Sequence, residues 1–440
     1  MTHKRLRFFA LLVTLGIALA LGLLAQTFAQ EKIVILVRDG QHDINLDMVK
    51  NFEEIYGIQV ELVRAHWNEM DSTLFIRIAS NLPVDLIFEM SVYEWAAYAN
   101  KGLFQDLTPF LEKDGFATDG LLPLWDSMRV NDGLYGVAFN TTLGSAVLYN
   151  ATLFREAGLP FPPLDWDDPS WNWDTFIDYG RKLTVRNADG YYTQFGIHSV
   201  DYESAVMNYP GASFFTHEPY SEKITITFDT PANRELFDQL TGLRRDLQIS
   251  PSLFVNHTGP RSLAWEPWRD AGQVGMTVGP ANLQLFSNPY DWGMAPFPLM
   301  GDERKPGIAW VNWVAILSEP IAQNQEGAWL FIKFMMQEGQ EVRPGFPGVH
   351  FSGWMDHLEE IVDSGLYHHT RQELEHFVSR CLNEFTIPSP RYYVPGYGDA
   401  MLYFEQVRDR IAAGELPVAE GLQLVEAEMN RIVADYIDSL

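Results

Sequence analysis

The chain has 440 residues, with 31 Lys and Arg against 58 Asp and Glu, and a formal net charge of −27. Such a balance argues against nucleic acid and other phosphate-rich partners, whose binding needs a positive surface. A single cysteine, Cys381, excludes an intramolecular disulfide, so core burial alone must hold the fold.

At the amino terminus Lys4, Arg5 and Arg7 precede an apolar run over 8–25, and Thr27-Phe28-Ala29 follows with small residues at both positions a signal peptidase reads. This is the three-part design of a secretory signal, expected to span 1–29. The alternative is a retained anchor, because the run is nearly long enough to cross a bilayer. No cysteine stands beside the cut to carry a lipid, and no second long apolar stretch follows. The remaining chain of about 410 residues exceeds one ordinary core, so two domains are expected.

Ile33 to Val37 is a short unbroken apolar run, as in a strand buried on both faces. Over 44–56, Met48, Val49, Phe52, Ile55 and Tyr56 share one helical face, and Gly57 ends that helix. Ile58, Val60 and Leu62 then alternate as a second strand. A helix over 70–80, a strand-like run over 84–88 and a helix over 92–101 closing at Gly102 continue the pattern. Such alternation implies parallel pairing and an α/β layer architecture.

Residues 158–173 hold too much Pro, Asp and Trp for regular structure. A helix over 174–183 follows, with Asp174 expected to cap it. Further helices are expected over 228–246 and 328–336, and strands over 274–278 and 310–317. Val418, Leu422, Val425, Met429, Ile432 and Tyr436 recur at helical spacing, the mark of a docked terminal helix.

No nucleophile elbow, phosphate-binding loop, dinucleotide fingerprint or zinc-protease motif occurs, and no cofactor or metal is expected. His368 and His369 are adjacent, a spacing poorly suited to one metal, and read as a surface pair. Asp165, Asp167 and Asp168 approach a calcium loop but lack its fixed glycine and closing glutamate. Carboxylates are numerous enough to leave a glycosidase-type pair open, though nothing selects one. Aromatic residues make up 13% of the chain, including 13 Trp, more than a core usually needs.

Several stretches together resemble the extracellular solute-binding proteins of ABC importers, in the large sugar-binding family that includes the maltose-binding protein. Asn51-Phe52-Glu53-Glu54 before Gly57-Ile58-Gln59-Val60 is similar to the family's first helix and second strand. Pro83-Val84-Asp85-Leu86-Ile87 and Gly102-Leu103-Phe104-Gln105-Asp106-Leu107-Thr108 resemble its third strand and the turn after it. Gly133-Leu134-Tyr135-Gly136-Val137, then Leu148-Tyr149-Asn150 and Phe154-Arg155-Glu156-Ala157-Gly158-Leu159, form the most specific block. Trp173-Asp174-Thr175-Phe176, Gly275-Met276 and Ala328-Trp329-Leu330-Phe331-Ile332-Lys333-Phe334 complete the series. The departures are Gly275 where alanine is usual, Val84 inserted between Pro83 and Asp85, and a longer stretch over 165–172.

The resemblance implies a two-lobe α/β fold of the periplasmic-binding-protein kind (type II-like), with hinge segments and a cleft between the lobes. Lobe one would hold 31–139 and 299–348, and lobe two 141–297 and 349–440. Hinges would fall near Asn140-Thr141, near 296–298 and near 347–351. Closure of the lobes on a ligand would present a shape that a membrane permease of an ABC importer recognises. The ligand is expected to be a small solute, a sugar or oligosaccharide, and the protein an exported monomer with no catalysis. A sugar site needs carboxylates and amides beside flat aromatics.

On that resemblance the candidate ligand residues are Asp39 and His42 after the first strand, Trp67 after the second, and Glu89 and Ser91 after the third. Asn282 follows the strand over 274–278, Trp310, Asn312 and Trp313 lie at a lobe-one strand, Trp354 near the third hinge, and Tyr397 before the last long helices. Trp310 and Trp313 are three apart, so at most one of them enters the cleft, the other being core. Trp166, Trp171 and Trp173 read more readily as staples of the proline-rich loop. The rival classes are a secreted carbohydrate-active enzyme with a carboxylate pair, and the same fold carrying a polyol, a glycerophosphodiester or a peptide.

Overall fold

The computed structural model describes residues 31–39, 44–66, 69–89, 95–130, 132–213, 225–251, 271–281, 290–338, 340–342, 348–388 and 396–438. The expected export signal, His42, Trp67, Ser91 and Asn282 lie outside them. Along the chain run β1 (Lys32–Arg38), α1 (Leu46–Tyr56), β2 (Gln59–Ala65), α2 (Met70–Ala79), β3 (Leu86–Phe88), α3 (Trp95–Asn100) and α4 (Thr108–Asp114). Next come β4 (Arg129–Val130), β5 (Gly133–Leu134), β6 (Val137–Thr141), β7 (Leu143–Asn150), α5 (Ala151–Glu156), α6 (Trp173–Lys182), β8 (Val185–Arg186) and β9 (Tyr192–Val200). Then follow α7 (Tyr202–Asn208), α8 (Pro231–Arg245), β10 (Val274–Ala281), β11 (Trp292–Pro296), β12 (Gly307–Ala309) and β13 (Val311–Ile316). The chain closes with α9 (Gln325–Met335), α10 (Phe351–Asp363), α11 (Arg371–Glu384), β14 (Thr386–Pro388), α12 (Tyr397–Ala412) and α13 (Val418–Asp438).

The described strands build two five-stranded sheets, ordered β2-β1-β3-β13-β6 and β11-β7-β10-β9-β8, and two small pairs, β12-β14 and β4-β5. In the first, β1 pairs in parallel with β2 and β3, while β13 runs antiparallel to β3 and β6. In the second, β10 is parallel to β9 and antiparallel to β7. In the first sheet β13 runs opposite to β3 and β6, and in the second β7 and the edge strand β8 run opposite to β9, β10 and β11. Both sheets therefore present strand carboxyl ends along one edge, where α/β folds bind their ligands.

Local chemistry explains the element ends. Asn45 accepts from the amides of Asp47 and Met48 to start α1, and Gly57, at φ 67°, ends it in the left-handed conformation that favours glycine. Met48, Val49 and Phe52 are buried, and Phe52 meets Phe331 of α9 edge-on at 4.9 Å. Ile55, expected on that face, is 64% exposed, whereas Tyr56 meets Phe334 edge-on at 6.0 Å. Helix α6 is capped by Asn172, which accepts from Thr175 N, and not by Asp174. Asp174 stands within the first turn, where its charge meets the positive end of the helix dipole. Helix α8 starts at Pro231 behind the Thr230 cap, three residues later than expected; Phe228 before it belongs to the core.

Three apolar clusters form. One fills the first sheet and α9; a second packs β7, β9 and β10 against α8, α12 and α13; a third lies among β7, β11, α10 and α11. Leu422, Val425, Met429 and Val433 seat the terminal helix α13, with Ile432 only partly buried beside them. The chain passes from the first sheet to the second where β6 runs directly into β7 through Thr142, and returns to the first from β12, which pairs with β14, into β13 through Trp310. Asn140 also bridges to Gly348 just before α10. Residues ahead of Trp310 contact the second sheet's side: Leu299 N donates to Trp171 O at 3.0 Å, and β12 pairs with β14.

The aromatic loop over 158–173 is irregular but stapled. Trp166 stacks on Phe385 at 4.2 Å, and Trp171 donates its indole N–H to Pro296 O at 2.8 Å. Arg304 completes the clamp, donating to the carbonyls of Phe297, Trp166, Asp168 and Trp171. Its guanidinium occupies the neighbourhood of Asp165, Asp167 and Asp168, while Asp167 also pairs with Arg380 at 2.7 Å. Arginine thus supplies the positive charge around these carboxylates.

Candidate functional site

The edge of the first sheet that gathers the ends of β1, β3 and β6 carries a polar cluster. Glu89 sits just past β3 and is only 4% exposed, yet it is a carboxylate. Burying such a charge is tolerated only with partners. Asn312 of β13 donates its side-chain N–H to Glu89 Oε1, and the Arg38 guanidinium lies 3.7 Å from Oε2. The backbone of Glu89 is held as well, its N–H donating to Trp313 O at 3.0 Å.

Glu89 has φ 53°, the left-handed region, although it is not glycine. A side chain there costs on the order of 1 kcal/mol or more, and such strain clusters at binding sites. It turns the chain at the end of β3 and holds the carboxylate against Asn312.

Trp310 occupies the passage between β12 and β13, half-buried. Thr142 N donates to Trp310 O at 2.9 Å, and Trp310 N donates back to Thr142 Oγ1 at 2.9 Å. Thr141 Oγ1 also donates to Trp310 O at 3.3 Å. The two joining segments are therefore hydrogen-bonded to each other, and they fix the backbone that carries the indole.

Of the expected site residues, Glu89, Asn312 and Trp310 come together at this edge. Asp39 follows β1 at the same edge, exposed, with its N–H donating to Ala65 O at 2.8 Å. Two others are core residues. Trp313 is fully buried, meeting Trp95 at 6.3 Å and Phe104 at 5.9 Å, because it follows Asn312 on β13 and so faces the opposite side of the sheet. Trp354 is buried in the third cluster with Leu143 and Phe377. Tyr397 opens α12. Arg38, Asn140 and Thr142 were not singled out as ligand residues, although a charged residue closing an otherwise apolar strand, as Arg38 does, is a signal the sequence carries.

The histidine pair is not a surface pair. His369 is buried and accepts the Met294 N–H on Nε2 at 3.1 Å. His368 donates from Nδ1 to Trp292 O at 3.0 Å and accepts from the Tyr149 hydroxyl on Nε2 at 3.1 Å. Both stand at the start of β11, the end of the sheet opposite the ligand edge. Burial lowers both pKa values, His369 to about 4. Cys381 is likewise a core residue, its thiol pushed up to about 12 by burial. Among the described residues no group of three or more His, Cys, Asp or Glu is arranged to hold a metal, and no helix is long and apolar enough to cross a membrane.

Comparison with solved structures returns this fold over nearly the whole chain. An ABC substrate-binding protein from Listeria monocytogenes, in complex with cycloalternan, has a TM-score of 0.68 at 19% identity, covering 92% of this chain and 99% of that one. A solute-binding protein from Thermotoga lettingae bound with alpha-D-tagatose gives 0.64 at 19%, covering 92% and 100%. The maltose/maltodextrin-binding domain from Bdellovibrio bacteriovorus bound to maltotriose gives 0.62 at 16%, covering 92% and 100%. The fold is therefore the two-lobe α/β fold of periplasmic binding proteins. No curated protein sequence matches. The family model described as bacterial extracellular solute-binding protein matches residues 45–342, most of the chain, and establishes that this chain belongs to the bacterial extracellular solute-binding proteins.

Proposed function

We propose that this protein is the extracytoplasmic receptor of an ABC importer, capturing a neutral sugar or oligosaccharide between its lobes and delivering it to the permease. The observation that carries the reading is the buried Glu89–Asn312 pair beside half-buried Trp310 on the ligand edge. A carboxylate and an amide suit hydroxyl groups, and an indole face suits the C–H face of a sugar ring. The sugars bound by the Listeria, Thermotoga and Bdellovibrio proteins support the same class of ligand.

In this reading Asp39, His42, Trp67, Ser91, Asn282 and Tyr397 remain proposed contacts. Lobe one comprises the first sheet and its helices, and lobe two the rest. We put the second crossing at Trp310 instead of near 296–298, because Leu299 and β12 contact the other sheet's side. The protein acts as an exported monomer without catalysis, and it is either freed by cleavage after the signal or held by it.

Thermal denaturation with a panel of neutral mono- and oligosaccharides tests the proposal. One or a few sugars are expected to raise the midpoint reversibly, and Trp310→Ala to abolish that rise while the ligand-free midpoint stays within a few degrees. Recovery of cleaved sugar after long incubation would favour the enzyme instead.

A further inference from the structure

Asn140 stands at the carboxyl end of β6, 3% exposed, where the chain leaves the first sheet. Its backbone is fixed from two sides, by pairing with Asn312 of β13 and by the bridge to Gly348. Its side chain is not. The amide nitrogen is buried without a hydrogen-bond partner among the described residues. A buried amide left this way is the exception in folded proteins, where such groups are paired with protein, water or ligand.

Other buried polar atoms lack partners, but in different settings. The indole nitrogens of Trp95 and Trp313 lie in the aromatic core of the first sheet. Asn150 also has an unpaired amide nitrogen, yet its oxygen caps α5 by accepting from Thr152 and Leu153. Asn140 does neither job. A helix cap, a strand or a core does not need it there.

Its position supplies the reason. Residues paired directly across two strands stand on one face of the sheet, so Asn140 lies on the side of Asn312, whose amide goes to Glu89. Glu89, Asn312 and Asn140 thus form a row across the ends of β3, β13 and β6. The first is an acceptor only, and the Asn140 amide has donor capacity unspent. A hydroxyl group needs that combination, since it donates one hydrogen bond and accepts others.

We propose that Asn140 is a specificity-determining residue whose side-chain amide hydrogen-bonds a hydroxyl group of the bound neutral sugar, beside the Glu89–Asn312 pair. The inference rests on the reading of this edge as a sugar site and deepens it. A ligand lacking a hydroxyl at that place leaves the amide buried and unpaired, so the residue discriminates among sugars of similar size.

The test loads immobilised wild type, Asn140→Leu and Asn140→Ala with a mixture of neutral oligosaccharides from partial hydrolysates of starch and plant polysaccharides. Retained sugar is identified by mass spectrometry, and its affinity for each form is then measured by calorimetry. Wild type is expected to retain sugar, and both variants to bind it at least about tenfold more weakly, the size of one lost hydrogen bond to a ligand. The ligand-free Asn140→Leu midpoint should equal or exceed that of wild type, since an apolar side chain needs no partner; Asn140→Ala guards against a fit problem with leucine. Affinities within twofold of wild type overturn the inference alone. Failure of wild type to retain any sugar overturns both the inference and the proposed function.

Discussion

Asp85 and Val34 exchange hydrogen bonds between β3 and β1: Asp85 N donates to Val34 O at 2.8 Å, and Val34 N donates to Asp85 Oδ2 at 2.7 Å. The second carboxylate oxygen accepts from the amides of Gln323 and Asn324 at 2.7 and 2.8 Å, tying the start of α9 to the sheet. Asp85 is nearly fully buried, so its removal strands three amide donors. Asp85→Ala is expected to lower unfolding free energy by about 3 kcal/mol. Urea denaturation checks this, and a loss below about 1 kcal/mol would mean the three bonds are replaceable.

Arg304 binds four carbonyls of the aromatic loop and the end of β11. Arg304→Met keeps much of the side-chain bulk but removes every donor. It should destabilise the protein by about 2–4 kcal/mol and make the 158–173 loop the earliest site of proteolysis. Addition of calcium should not restore the variant, since the cationic role belongs to the guanidinium. Limited proteolysis followed by mass spectrometry reads both outcomes.

Stability should fall in acid because of the buried histidine pair. His369 faces His368 and Glu373, and His368 faces Asp291, Arg155 and Glu373; burial leads the downward shift for both rings. With a folded value of about 4 against 6.5 unfolded, the unfolded chain binds more protons between those limits. The contribution is therefore complete above pH 6.5 and lost as pH falls toward 4. It amounts to something of order 3 kcal/mol. Comparing urea midpoints of wild type and His369→Gln at pH 7.5 and 4.5 should show the difference between them shrinking in acid. A constant difference would contradict this assignment.

Glu89 opposes ligand binding to backbone comfort. Glu89→Gly relieves the left-handed strain and should raise ligand-free stability by up to about 1 kcal/mol. It should also remove sugar binding. Glu89→Gln keeps the shape but loses the charged acceptor, and affinity should drop about tenfold or more. Calorimetry with the retained sugar reads both, and unchanged affinity in Glu89→Gln would remove the carboxylate from the site.

The alternation of β1, α1 and β2 was legible because a strand buried on both faces reads as one apolar run, and Gly57 marks the helix end without ambiguity. Glu89, Asn312 and Trp310 were legible as site candidates through family resemblance, which orders motifs along the chain. What the pattern did not carry was three-dimensional pairing. Alternation puts Trp313 on the face opposite Asn312, but that face is core only because Trp95 and Phe104 from distant elements cover it, and no local spacing announces them. His368 and His369 looked like solvent-facing neighbours because their partners, Tyr149, Trp292 and Met294, come from distant strands. Arg304 resembles any surface arginine until four carbonyls converge on it. The cap of α6 lies two residues before the expected Asp174, since Asn172 and Asp174 are both good starting residues and only backbone geometry separates them.

The proposed receptor captures a sugar reversibly and leaves it unaltered. Native mass spectrometry of the purified protein after incubation with mixed neutral oligosaccharides measures it most directly. A one-to-one complex is expected, whose released ligand has the same mass as the sugar added. Absence of any adduct at millimolar sugar, or release of hydrolysed fragments, would contradict it.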